Sequence, residues 1–419
     1  MRRGRLISAI MAASLLFLGL QPTAAQAAVG QADLFSTTAV TQIELTIPQA
    51  SESSLNNRNT AKNYVAAQFK VTLAGQTIGP IDVGIRLKGS TSLELLNQRP
   101  SFKVAFNWKL LKGNRLLGLK NLTLNAMTQD TSKLHEFGAY KMFNAMGVPA
   151  PRTGWNMLKI NGTNRGLYLT LETVDDIFAN NRYRDITGHI YEAIALNDLK
   201  PGNSDGAKDT GHYLVKEGWT ANPNKNDLAK LITAANTSSL SSWWSKMAAV
   251  SDRTQLVKMW AVENFTGHWD SYSGPLQNNH FLRSNNQGKF TMIPWGTDQT
   301  FGENKQTSVL LDDYFFPLDK PQSGFPWVQQ AFHKATMDRG LLFRKCLAYK
   351  PCKTLYLTQL KAVSAKATSI RLTSSMRAAG TMLSNYTDEG AKAEQNRVVA
   401  WIGKQQARVK AVLKANGIR

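Results

Sequence analysis

Cysteine and histidine are scarce in this chain of 419 residues, which contains two cysteines and six histidines. The cysteines, Cys346 and Cys352, are separated by five residues, and this spacing favours a local disulfide in an oxidising compartment over a redox or metal pair. The histidines are scattered along the sequence, and His268 and His280 do not show the spacing of zinc ligands. We therefore predict that these two histidines are structural or support neighbouring site residues, and we predict no zinc site.

Long apolar runs are also lacking beyond the N-terminus, so no later segment is predicted to cross a bilayer. Residues 1–27 have the features of a secretory signal peptide: three arginines, an apolar core from Leu6 to Leu20, and small residues at Ala25 and Ala27. Cleavage after Ala27 is expected, and an uncleaved anchor is the alternative. The protein is therefore predicted to be secreted or to lie in the cell envelope, in the periplasm or outside the cell.

Acidic residues are few relative to basic ones, since 29 Asp and Glu stand against 50 Lys and Arg and give a net charge of +21. Three of the arginines lie in residues 1–27, which contain no acid, so the rest of the chain carries +18. This excess would attract an anionic wall polymer, a membrane surface or a nucleotide. Because the basic residues are scattered, a solvated basic surface is the alternative, and no specific nucleic-acid partner is predicted.

The order of predicted elements is a β-rich half followed by a helix-rich half, which indicates an α+β fold. Short strand-like runs separated by turns extend from Thr41 to Asn125, and a hairpin with its turn at Asn161-Gly162 follows. The length exceeds that of one compact core, so two lobes or domains are expected. The predicted segments are a lead segment at 28–60, a β-rich lobe at 61–195, a flexible loop at 196–228 and a helical lobe at 229–419 with a catalytic hairpin within 264–302.

Two predicted strands place cations on one polar face. In the first strand Arg86 and Lys88 alternate with Ile85 and Leu87, and in the second Lys103 lies between apolar neighbours. Because side chains alternate between the two faces of a strand, the three cations are expected on the face opposite the apolar residues. This face is a candidate for binding phosphate, and solvated strand lysines are the alternative.

Carboxylate and amide side chains are concentrated between residues 264 and 302. Asp270 follows a helical run, Asn278 and Asn279 come next, and a predicted hairpin then leads to Asp298. The turn of the hairpin would return the chain so that Asp298 approaches the other three side chains. Such oxygen ligands suit magnesium, and phosphoryl transfer needs a metal, a carboxylate that orients the accepting hydroxyl, and cations on the phosphates. Each acid taken alone could instead cap a helix or form a turn.

Five segments in a fixed order resemble the CotH kinase family, over roughly residues 60 to 305. The resemblance implies an atypical protein-kinase-like, two-lobed fold, the use of ATP with Mg²⁺ or Mn²⁺, and transfer of phosphate to Ser or Thr hydroxyls of proteins. The segments are RLKGSTS at 86–92, SFKVAF at 101–106, NGTNRGLYLTLETVDDIF at 161–178, HWDSYSGPLQNNHFL at 268–282 and IPWGTDQTFG at 293–302.

The resemblance assigns a role to each candidate site residue. Asp298 is similar to the metal-holding aspartate, and Asp270 to the catalytic-loop aspartate, with Asn278 or Asn279 as a second metal ligand. Among the cations, Lys103 resembles the lysine that contacts phosphate, with Arg86 or Lys88 assisting. Glu172, at the end of a strand, is the candidate partner that orients this lysine.

One position departs from the family pattern, which often reads PWDxD where this chain reads PWGTD with Gly296. Loss of that acid would weaken metal binding or change its stoichiometry. Two alternatives to a kinase follow: transfer of another group from the nucleotide, such as AMP, and a non-catalytic module at the cell surface that binds polyanions.

Overall fold

The computed structural model describes residues 28–89, 92–109, 111, 113–185, 187–194, 198–201, 213–218, 220, 223–302, 322–323 and 336–418. The predicted signal segment, 1–27, lies outside these residues. Among the described residues, no helix combines the length and the apolar character needed to span a bilayer.

The described strands are β1 (Val40–Thr46), β2 (Val65–Leu73), β3 (Gln76–Lys88), β4 (Ser101–Ala105), β5 (Asn121–Asn125), β6 (Thr153–Ile160), β7 (Thr163–Glu172), β8 (Ile190–Ala193), β9 (Tyr213–Glu217), β10 (His280–Ser284), β11 (Phe290–Pro294), β12 (Gln322–Ser323) and β13 (Thr336–Met337). The helices are α1 (Gln31–Leu34), α2 (Gln49–Leu55), α3 (His135–Ala145), α4 (Asp176–Asn180), α5 (Asn226–Ala235), α6 (Leu240–Val250), α7 (Arg253–Thr266), α8 (Leu341–Ala348), α9 (Lys350–Ser369), α10 (Leu372–Leu383) and α11 (Glu389–Ala415), with a short 3₁₀ helix at Ser384–Tyr386.

The first seven strands form a closed barrel in the order β1-β2-β3-β4-β5-β7-β6, and β6 pairs in parallel with β1 to close it. Alternate residues of β3 and β4, including Leu87 and Phe102, are fully buried in one hydrophobic cluster that fills the barrel. Since closure pairs every strand on both sides, the barrel has no free edge. The residues of β3 and β4 that alternate with these buried ones lie on the outer surface of the barrel.

A second sheet, ordered β11-β10-β8-β9, and the helices form the rest of the described structure. Helix α7 lies at the centre of this part, since its residues from Gln255 to Thr266 are buried except Lys258. Such burial on nearly all sides is typical of a helix enclosed by other elements. Helices α9 and α11 and strand β11 contact α7, so the core continues from the second sheet to the C-terminus.

The α+β class is confirmed, whereas the barrel closure was not predicted. Both predicted hairpins are present, as β6–β7 and as β10–β11. The disulfide between Cys346 and Cys352 is also present and joins α8 to α9. The stretch 196–228 was predicted to be a loop, but it contains strand β9, which forms because its residues pair with β8. Most of the remaining stretch falls outside the described residues.

Candidate active site

Asp270, Asn278 and Asn279 converge just beyond the C-terminal end of α7. The helix ends at Thr266, and the next residue, Gly267, has a φ of +68° that turns the chain into the loop that carries Asp270. The two oxygens of the Asp270 carboxylate accept hydrogen bonds from the side-chain amides, at 3.2 Å from Asn278 Nδ2 and 2.7 Å from Asn279 Nδ2. The convergence predicted for these three side chains therefore occurs.

Asp298 lies on the loop that follows β11, near Asp270. Burial raises the pKa of Asp270 to about 8, and the nearby negative charge of Asp298 contributes to the shift. The strand β11 places this loop, because Trp295 N donates to Asn279 O at 3.0 Å at the end of the hairpin. The Asp270 loop and the Asp298 loop thus meet at the end of the hairpin, and the charge of Asp298 is close enough to affect the ionisation of Asp270.

Two buried histidines support the same loops. His268 contacts the carbonyl oxygen of Trp295 through Nε2 at 3.1 Å, and His280 contacts the carbonyl oxygen of Asn278 through Nδ1 at 3.0 Å. Burial lowers the pKa of each to about 4, so both are neutral at pH 7. Both rings therefore hold the backbone of the loops that carry the candidate residues.

Glu136 is a site residue that sequence reasoning missed. It lies in the first turn of α3, is buried, and accepts a hydrogen bond from Asn125 Nδ2 at 2.5 Å. Burial raises its pKa to about 8, and the charge of Asp298 adds to this effect while that of Lys88 opposes it. The signal available in the sequence was an acid within the mostly apolar segment LHEFGAY, since a carboxyl group buried with such neighbours usually has a partner.

Helix α3 also holds the Asp298 loop through its first residue. His135 Nδ1 is 2.7 Å from the carbonyl oxygen of Asp298. The helix begins at His135, and Asp130 accepts a hydrogen bond from His135 N at 2.8 Å. The same helix therefore fixes Glu136 and the backbone of Asp298.

The three strand cations lie on one outer face of the barrel, as the alternation predicted. Arg86 and Lys103 are directly opposite in the antiparallel pair β3–β4, and Lys88 lies one pleat further along β3. The charge of Lys88 acts on two of the buried acids, because it opposes the rise in the pKa of both Glu136 and Asp298. Its Nζ is 6.0 Å from the ring centre of Trp295.

Lys103 has a different environment on the same face. Burial lowers its pKa to about 8, while the charge of Glu192 on β8 opposes that shift. Glu192 forms an ion pair with Lys216 of β9. A cavity of about 160 Å³ lies between the barrel face and the second sheet, lined among others by Tyr64, Arg86, Lys103, Lys216 and Trp295. Three cations and three aromatic rings, the third that of Phe281, therefore border one cavity together with the acids Asp175 and Glu217.

Glu172 does not lie where the sequence-based role requires. It is directly opposite Leu122, whose side chain fills the barrel, whereas Lys103 is opposite Thr123 on the outer face. Residues paired in adjacent positions of a ladder point to opposite faces, so the two side chains are on opposite sides of the sheet. Glu172 instead forms ion pairs with Arg152, at 2.7 Å, and with Arg182.

The donor set fits a divalent metal in its chemistry. Among the described residues, no group of three or more His, Cys, Asp or Glu side chains is arranged to hold a metal by itself. Asp298 with the amide oxygens of Asn278 and Asn279 would supply hard oxygen ligands, which magnesium and manganese accept. Burial also raises the pKa values of Asp270, Glu136 and Asp298 together, so the site has an excess of enclosed carboxyl groups that a divalent cation would stabilise in their ionised form.

Residues 85–412 match the model of a protein family described as CotH kinase protein. The chain belongs to the CotH kinase family. The match includes the strand cations, both acid-bearing loops and most of the C-terminal helix of this CotH-family protein. The predicted family is therefore confirmed.

Two curated relatives, both from Bacillus subtilis (strain 168), are similar to this CotH-family chain. Inner spore coat protein H is 24% identical over 237 residues, which are 56% of this chain and 63% of the relative. An inner spore coat protein H-like protein is 37% identical over 83 residues, which are 20% of this chain and 27% of that relative. The similarity thus spans less than two thirds of the length of either relative.

Proposed function

We propose that this CotH-family protein transfers the terminal phosphate of ATP to Ser or Thr hydroxyls of a protein, with Mg²⁺ or Mn²⁺. The observation that carries the proposal is the meeting of the Asp270 loop and the Asp298 loop, which hydrogen bonds of Asn279 with Trp295 and Gly296 join, beside a barrel face that presents three cations. Family membership supports the same chemistry. The barrel and the helical part would then correspond to the two lobes of a kinase-like enzyme.

Each part of the site has a role in this proposal. Arg86, Lys88 and Lys103 would bind the phosphates, and Asp298 with Asn278 or Asn279 would hold the metal. The metal would neutralise charge that develops on the transferred phosphoryl group. Asp270 would accept a hydrogen bond from the substrate hydroxyl and take its proton, because its carboxylate is held by two amides and its raised pKa favours proton acceptance.

Glu136 replaces Glu172 as the residue that would orient a lysine. The charges of Lys88 and Asp298 both act on the ionisation of Glu136, and that of Lys88 also acts on Asp298. When nucleotide phosphates and a metal occupy the cleft, an ionised Glu136 would fix Lys88 for contact with a phosphate oxygen. Lys88, more than Lys103, is therefore the lysine with an acid partner near the proposed metal site.

The proposed location is the cell envelope or the exterior of the cell, as the signal-like residues 1–27 indicate. A relative named for the inner spore coat is consistent with a role at a cell boundary. An anionic wall polymer or a membrane surface remains a proposed contact for the basic exterior, since the chain has a net charge of +21.

The test is transfer of label from ATP labelled in its terminal phosphate, with Mg²⁺ or Mn²⁺, to the protein itself and to a panel of acceptor proteins. Transfer should disappear in Asp298→Ala and persist in Asp82→Ala, which removes an exposed acid from β3. Intact-mass measurement of the acceptor distinguishes phosphate from AMP. Absence of transfer with either metal, together with binding of polyanions that Asp298→Ala does not change, would favour the non-catalytic alternative.

A further inference from the structure

The two acid-bearing loops also meet next to the C-terminal helix, away from the hydrogen bonds of Asn279 and His268. Phe301, three residues after Asp298, donates from its backbone nitrogen to Thr266 O at 2.6 Å, at the end of α7. Thr266 in turn precedes the loop that carries Asp270. One backbone hydrogen bond therefore connects the start of one loop to the end of the other.

Trp401 of α11 packs against both loops at this point. A Cβ placed on Gly267 would lie 2.8 Å from Trp401 Cζ2, and one placed on Gly302 would collide with the same ring. Gly267 ends α7, and Gly302 follows Phe301. The ring thus occupies the space beside both glycines, and its contact needs the absence of a side chain at each.

Arg397, one turn before Trp401 on α11, holds the backbone of Phe301. Its Nη1 donates to Phe301 O at 3.2 Å. Phe301 is fully buried and has φ of +50°, a left-handed conformation that is unfavourable for a bulky residue and persists only where its surroundings hold it. The Thr266 carbonyl and Arg397 hold the backbone of Phe301, and Trp401 packs beside the next residue, Gly302.

We propose that Trp401 and Arg397 are positioning residues, which set the relative placement of the Asp270 loop and the Asp298 loop from outside the cleft. The inference rests on the proposed phosphotransfer for its kinetic readout, but the placement of the loops can be measured without it. Because a shift of about 1 Å in reacting groups can lower a rate roughly 100-fold, loss of either contact should affect the chemical step more than nucleotide binding.

The experiment compares Trp401→Ala, Trp401→Phe, Arg397→Ala and Arg397→Lys with Val409→Ala, a buried α11 variant whose contacts lie away from the loops. Hydrogen–deuterium exchange should become faster in segments 266–279 and 295–302 of the two alanine variants, with the barrel unchanged. In these variants kcat should fall by roughly 10- to 100-fold with little change in KM for ATP. Trp401→Phe should retain most of the activity.

Val409→Ala provides the comparison that separates positioning from general stability. If Trp401→Ala and Arg397→Ala lose activity only in proportion to their folded fraction, as Val409→Ala does, or if exchange in both loop segments stays at the parent rate, the proposal is overturned. If the parent protein transfers no phosphate, the proposed function fails, while the exchange result still decides the role of α11.

Discussion

Asn279 fills the space in which a side chain at Gly296 would lie. A Cβ built on Gly296 would be 2.5 Å from Asn279 Oδ1, and Gly296 itself has φ of +53°. Asn279 also adopts the left-handed region, with φ of +46°, and its Nδ2 donates to Gly296 O at 3.3 Å. The position where the CotH pattern often has a second acid is thus closed by an amide in this protein.

Replacing Gly296 by Asp should therefore destabilise the protein without strengthening the metal site. The left-handed backbone and the collision with Asn279 should together lower the free energy of unfolding by about 2 kcal/mol. Denaturant unfolding measures this loss, and a Mg²⁺ titration in the presence of nucleotide should show no gain in affinity. Gly113→Asp is the control, because a side chain there would meet no atom within 4 Å. Parent-like stability of Gly296→Asp would show that Asn279 moves aside freely.

Glu136→Gln should leave the fold intact and reduce phosphate transfer. A neutral amide keeps the size of the side chain and can still accept the hydrogen bond from Asn125, but it cannot form an ion pair with Lys88. We expect transfer to fall by roughly 100-fold with unchanged thermal unfolding. Glu389→Gln, which changes an exposed acid on α11, is the control. Transfer at the parent rate would show that Lys88 is positioned without Glu136.

Lys103→Met should raise stability at neutral pH and weaken ATP binding. The pKa of Lys103 is lowered to about 8, mainly by burial, so the folded state disfavours the charged lysine. Between about pH 8 and the ordinary lysine value of 10.5, the unfolded chain binds more protons, and the stability of the parent rises with pH through this window. The advantage of the variant should therefore be largest below pH 8 and small near pH 10.5.

Thermal unfolding at several pH values measures this difference, with Lys62→Met as the exposed control. A variant that is less stable than the parent at pH 7 would contradict the assignment of a burial penalty to Lys103. Isothermal titration with ATP and Mg²⁺ gives the loss of affinity in the same samples.

Glu172→Gln should reduce stability and leave ATP binding unchanged. Burial alone would raise the pKa of Glu172, but hydrogen bonds and charge from Arg152 and Arg182 outweigh burial and lower it. Because Arg152 and Arg182 would lose an almost fully buried partner, the free energy of unfolding at pH 7 should fall by about 3 kcal/mol. This contribution is present above the ordinary glutamate pKa and is lost as pH falls through the lowered value.

Urea unfolding at pH 7 and at acidic pH tests both the size of the loss and its sign. Glu44→Gln is a matched control, because it breaks the more exposed ion pair with Lys70, which should contribute less than about 1 kcal/mol. Weaker ATP binding in Glu172→Gln, with parent-like stability, would instead support the role inferred from the sequence.

Local patterns predicted the parts of this structure that depend on neighbouring residues. Alternation placed Arg86, Lys88 and Lys103 on one face, and turn residues predicted the hairpin that returns the chain from Asn279 towards Asp298. The spacing of Cys346 and Cys352 likewise predicted their disulfide. These features need only the period of a strand or the closure of a short loop, so a single sequence contains them.

Local patterns could not predict which of two glutamates, Glu136 or Glu172, lies near the strand cations. Both are buried acids at the ends of elements, and nothing local distinguishes the one beside Lys88 from the one that pairs with arginines. The choice depends on which strands are neighbours in the barrel and on the packing of α3 against the Asp298 loop. Those contacts join residues far apart in sequence.

The sequence by itself determined the α+β class, the family, the polar strand face and the acids that follow α7 and β11. Only the tertiary structure decided that the barrel closes, which glutamate faces the cations, how Asn279 excludes a side chain at Gly296, and that Trp401 contacts both loops. The reason is physical: periodicity and turn chemistry act over a few residues, whereas burial, charge coupling and steric exclusion act between whichever residues the folded chain brings together.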